Sequence, residues 1–153
     1  MQRKLPRSGS RELSRFRGVP GAERFVITPD VALRLAELSA VLRPGVKLVA
    51  PTLLRSQVLS MAYRRVRAGQ ITKAVADAQL DYIRRLQLRL LGDRVLHATA
   101  WQVAAEFDWP DTFDAEYVAL TVLQADALVT LDDDLRAAVS RKVRLAPIDD
   151  LLE

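Results

Sequence analysis

The chain has 153 residues, half of them apolar, enough for one core of ordinary size and too little for two. It holds a single histidine and no cysteine, which excludes disulfides, thiolate zinc sites and cysteine nucleophiles and leaves oxygen donors or His97 for any metal. No run of about 18 apolar residues could span a bilayer and the start is basic and polar, unlike a secretory signal, so a soluble cytoplasmic protein with no membrane association is expected.

The formal charge of +4 is unevenly spread. Residues 1–24 carry seven Lys/Arg against two Asp/Glu, residues 25–94 carry twelve against five, and residues 95–153 carry four against twelve. A basic half beside an acidic half suits an enzyme that grips phosphates with one surface and cations with the other. Ordinary solvated helix faces would give the same counts.

Residues 1–23 have few apolar side chains, no periodicity, and Pro, Gly and Ser throughout. They read as a disordered basic tail ahead of a single domain at 24–153. A β-prone run at 25–28 is followed by Pro29 and a helical stretch at 30–40, since Pro near a first turn sacrifices no useful donor. A second strand is predicted at 47–50. Pro51 and Thr52 then open a helix to about Arg67, stopped by Gly69. Thr72 caps the next helix, to about Arg85, with Ala76, Leu80, Ile83 and Leu86 at helical spacing.

A short strand at 87–91 precedes a helix from Gly92-Asp93 through Phe107, with Asp93 as its cap. Pro110-Asp111 start another, through about Leu123, with Phe113, Tyr117, Val118 and Leu120 facing inward. Residues 127–131 read as a buried strand, 133–139 as a short helix and 143–145 as a last strand. Such alternation predicts an α/β fold, a mostly parallel sheet covered by helices. Ligands of these sheets sit at the carboxyl ends of the strands.

Acidic residues collect at those ends: Asp30 after the first strand, Asp111 and Asp114 at a helix start, and Asp132, Asp133 and Asp134 after the strand at 127–131. Carboxylates brought together repel, and a hard divalent cation, Mg²⁺ or Mn²⁺, is the usual remedy with oxygen-only ligands. Such a cation neutralises phosphodiester charge and activates water. The same residues at helix starts also serve as caps. Capping is the stronger reading for Asp93 and Asp111, the site for Asp114 and Asp132.

Two stretches carry a family resemblance. Asp111-Thr112-Phe113-Asp114-Ala115-Glu116-Tyr117-Val118-Ala119-Leu120, followed by a strand ending Leu128-Val129-Thr130-Leu131-Asp132, resembles the most recognisable part of VapC-type PIN-domain ribonucleases. Upstream, Ala50-Pro51 through Gln57-Val58-Leu59 is similar to the helix that presents a glutamate in that family, with Gln57 in its place. Phe25 to Leu33 matches the family's opening, with Thr28 at the first aspartate position and Asp30 two residues on. The similarity covers about residues 24–150.

The resemblance implies a PIN-like three-layer fold and metal-dependent endoribonuclease activity. It assigns Asp30, Asp114 and Asp132 to an Mg²⁺ or Mn²⁺ site, with Gln57 beside them among the catalytic residues. The partners it implies are RNA, a small VapB-like antitoxin and a second copy of the chain as a homodimer. With Thr28 and Gln57 uncharged, the competing reading is a weakly active or inactive PIN-fold module that binds RNA or a protein. Gln57 can ligate or orient water through its carbonyl oxygen but cannot act as a base.

The remaining polar and aromatic residues carry weaker signals. His97 lies on an apolar helical pattern, as a partnered structural histidine would. Trp101 and Trp109 read as core and rim packing. Arg64, Arg65 and Arg67, with Arg84, Arg85 and Arg89, form basic stretches that could position phosphates, face solvent or meet an acidic antitoxin segment.

Overall fold

In the computed structural model of the chain, residues 22–153 are described. Four strands, β1 (Glu23–Ile27), β2 (Val46–Pro51), β3 (Leu88–Leu91) and β4 (Ala127–Val129), form one all-parallel sheet in the order β3-β2-β1-β4. Five helices fill the connections, α1 (Pro29–Glu37), α2 (Leu53–Arg67), α3 (Lys73–Arg85), α4 (Arg94–Glu106) and α5 (Phe113–Gln124), and α6 (Asp133–Val139) follows β4. Parallel strands need crossovers of this length, and the flanking helices make three layers.

The strands are short apolar runs because both sheet faces are covered. Phe25, Val26 and Ile27 of β1 and all of β4 are fully buried. Phe25 pairs with Leu48 on one side and Ala127 on the other, which fixes register at the centre of the core. α5 packs against β1, β2 and β4 with α4 against its flank, and α1, α2 and α3 make a second group of contacts.

Helix boundaries follow local chemistry. Thr72 and Asp93 accept from the backbone amides of Val75 and Leu96 and cap α3 and α4. Gly69, at φ +72°, ends α2 in the left-handed conformation that glycine adopts without penalty. α1 begins at Pro29 and stops at Glu37, short of the expected 40, because Ser39 turns into positive φ.

Several expectations need correction. Residues 143–145 are not a strand; Leu145 makes one isolated bridge to Leu128. The strand expected at 127–131 stops at Val129, because Leu131 and Asp132 are drawn into bonds with side chains. Phe113 is exposed, since α5 starts at that residue and its buried positions begin at Ala115. Trp101 is 72% exposed and so does not pack in the core: α4 buries Leu96, Ala100, Val103 and Ala104 instead. His97 stands one position off that stripe and is largely solvent-facing. Trp109 does pack at the rim, its ring stacked on Phe107 at 4.9 Å. The tail expected at 1–23 falls mostly outside the described residues; the first strand begins at Glu23.

Candidate metal site at the carboxyl ends of the strands

The chain proceeds outward from β1 to β2 and β3, then returns to place β4 on the other side of β1. That reversal opens a crevice between the carboxyl ends of β1 and β4. The loops leaving those two strands carry Thr28, Asp30, Thr130 and Asp132, so topology alone brings together residues about a hundred positions apart.

Thr28 continues the β1–β4 pairing, its amide donating to the Val129 carbonyl at 3.2 Å. The Thr28 side chain is buried, and its hydroxyl donates to Asp30 Oδ1, with the Val129 carbonyl as a second acceptor at 3.4 Å. Asp30 is the second residue of α1. Its Oδ1 also accepts from the Val31 amide at 2.9 Å, and its Oδ2 accepts from the Leu131 amide at 3.2 Å. Asp30 therefore ties the β1–α1 turn to the loop after β4, and both of its oxygens are in use.

Asp132 caps α6: its Oδ1 accepts from the amides of Asp134 at 3.0 Å and Leu135 at 3.1 Å. Its own amide is held by Thr130 Oγ1 at 3.2 Å. One carboxylate oxygen is thus committed to the helix, and Oδ2 has no hydrogen bond among the described residues. Asp114 sits in the first turn of α5 and makes no side-chain hydrogen bond among them. Partial burial, then the charges of Asp132, Asp111 and Asp30, raise its carboxyl above the ordinary aspartate range. Asp111 also braces the entry to α5 by accepting from the Phe113 amide at 3.1 Å.

Gln57, half-buried on α2, accepts the Tyr117 hydroxyl on Oε1 at 2.5 Å. Tyr117 is itself 1% exposed, and burial followed by the charges of Glu116, Asp114 and Asp30 raises its phenol strongly, so it keeps its proton. Its donor fixes the amide with its NH₂ end free of this bond. Tyr117 is buried as the sequence predicts, but its bond to Gln57 and the place of Glu116 were not foreseen; the available signal was position, since Tyr117 lies one turn beyond Asp114 on α5. Burial raises the Glu116 carboxyl, partly offset by His97, whose Nε2 lies 3.7 Å from Glu116 Oε1. His97 is therefore placed beside a carboxylate and not in the core.

Asp30, Asp111, Asp114 and Asp132 share one electrostatic field, whereas Asp93 is set apart as the cap of α4. Among the described residues no three His, Cys, Asp or Glu side chains are gathered as a ready ligand set. The donors suit a hard cation that keeps most of its waters: Asp114 with both oxygens available, Asp132 through Oδ2, and Asp30 as an adjacent charge. Magnesium is commonly held by one or two carboxylates in this way.

No family model matches the chain, and no curated protein matches it. Among solved structures the chain is similar in fold to the crystal structure of PAE2754 from Pyrobaculum aerophilum. The TM-score is 0.66 at 19% identity, over 86% of this chain and 93% of that one. At that identity the likeness is one of architecture: a three-layer α/β fold around a parallel sheet.

Proposed function

We propose that the protein is a metal-dependent endoribonuclease of the VapC-like PIN type. The observation that carries this reading is Asp114, partly buried in the charge field of Asp132, Asp111 and Asp30 near the switch point of a parallel sheet and with no side-chain hydrogen bond among the described residues. Asp30, Asp111 and Asp132 each hold backbone amides, whereas capping does not account for Asp114. Asp114 and Asp132 would hold Mg²⁺ or Mn²⁺, which when bound supplies positive charge to a phosphodiester and makes water a better nucleophile. Asp30 holds the two loops in register, and the Gln57 amide, oriented by Tyr117, offers donors to the phosphate or to water. RNA is the proposed substrate, a VapB-like antitoxin and a second copy of the chain the proposed partners, and the cytoplasm the proposed location.

The test is cleavage of cellular RNA by the purified protein with Mg²⁺ or Mn²⁺, beside Asp114→Asn. Cleavage that requires both the metal and Asp114 supports the enzyme. A second reading, a PIN-fold module that binds RNA or a protein without cutting, is favoured by the neutral Thr28 and Gln57 and by the full use of both Asp30 oxygens. Under that reading folded protein free of any partner leaves RNA intact, and Asp114→Asn leaves binding unchanged.

A further inference from the structure

A large concavity lies at the opposite end of the sheet, about 17 Å away by strand rise, at the amino ends of β1, β2 and β3. Its volume, about 920 Å³, falls within the range of small-molecule sites. The loop before β2 and the turn between α3 and β3 form its walls. Part of the lining is apolar: Leu42 and Leu86 are half-buried there beside Tyr82, whose hydroxyl donates to the Ala40 carbonyl at 2.7 Å.

The rim is cationic, with no acidic residue in the lining. One of its five cations, Arg43, is already engaged: it donates to the Asp150 carbonyl and lies 3.8 Å from Glu23. Arg24 is tied through its backbone amide, which donates to the Asp126 carboxylate. Lys47 on β2, Arg85 in the last turn of α3 and Arg89 on β3 have no carboxylate partner among the described residues, unlike Arg34, Arg65 and Arg84. Lys47 and Arg89 project from the same sheet face, because Arg89 pairs with Val49, two residues beyond Lys47.

We propose that this groove binds a free nucleoside phosphate, the base on the apolar part of the lining beside Tyr82 and the phosphate between Lys47, Arg85 and Arg89. Three cations with no carboxylate partner among the described residues, in one lining with apolar side chains, match a ligand with one flat apolar part and one concentrated anion. The inference does not rest on the nuclease reading, since none of these residues belongs to the acidic crevice.

The test is calorimetric titration of the full chain with each of the four nucleoside 5′-monophosphates, with the four corresponding nucleosides, and with inorganic phosphate. At least one monophosphate should bind at least about tenfold tighter than its nucleoside or phosphate alone, each half losing one class of contact. Lys47→Gln and Arg89→Gln should each weaken it about tenfold, while Asp114→Asn leaves it unchanged. Both substituted side chains are exposed, and Arg85→Gln, at a helix end, replaces either that fails to fold. No binding by any monophosphate at millimolar concentration would overturn the proposal. So would indifference to the three substitutions, equal binding of phosphate alone, or binding only by oligoribonucleotides with affinity rising with length.

Discussion

Asp114 owes its place to two opposed effects. The fold raises its carboxyl, so folding disfavours the ionised form relative to the unfolded chain, and a carboxyl raised on folding contributes stability at low pH that is lost as pH rises through the raised value. Asp114→Asn should therefore melt at a higher temperature than the parent at neutral pH, and the difference should vanish near pH 3, where both forms are uncharged. Thermal melts across that range, with RNA cleavage measured in parallel, should show stability gained as activity is lost. Gln57 gives the complementary case. Gln57→Glu adds a carboxylate that the Tyr117 hydroxyl already faces, and Mn²⁺ affinity measured by calorimetry should rise about tenfold, or ~1.4 kcal/mol. An unchanged affinity would place the cation elsewhere. Both residues could be picked out in the sequence, but their environments could not: neither burial nor the bond from Tyr117 has a signature along the chain.

Helix caps show how one side chain can serve an element and a site at once. Asp132 accepts from two amides at the start of α6 and stands beside Asp114 in charge. Asp132→Ala should cost about 1 kcal/mol through the lost cap, seen as a lower melting temperature, and should also weaken Mn²⁺ binding. Asp132→Ser keeps a capping oxygen and removes the charge, so it should recover most of the stability and none of the metal affinity. The caps at Thr72 and Asp93 were legible because a residue with a short polar side chain precedes each helical pattern. The orientation of helix faces was less so. Phe113 and Trp101 read as apolar and therefore inward, yet both are exposed, because neighbouring positions supply enough burial for α4 and α5 without them.

At the scale of the whole molecule, the sheet carries the core and the core carries the crevice. Leu128, fully buried on β4, sits one residue from the strand end whose loop bears Thr130 and Asp132. Leu128→Ala should cost roughly 2–5 kcal/mol in denaturant melts and, in whatever remains folded, weaken Mn²⁺ binding by loosening that loop. Charge is uneven on the same scale: four aspartates share a field at one end of the sheet, and three cations with no carboxylate partner among the described residues line the groove at the other.

The sequence by itself determined the alternation of strands and helices, hence a parallel sheet between helices, because apolar runs, capping residues and prolines act over a few neighbours. It also marked the acidic positions. The strand order was decided only by tertiary packing, and with it the meeting of β1 and β4 that puts Asp30 against the Leu131 amide across a separation of 101 residues. So was the basic groove, which brings Lys47, Arg85 and Arg89 into one lining from three elements. Contacts between distant segments depend on how whole surfaces fit, and no local pattern encodes that fit.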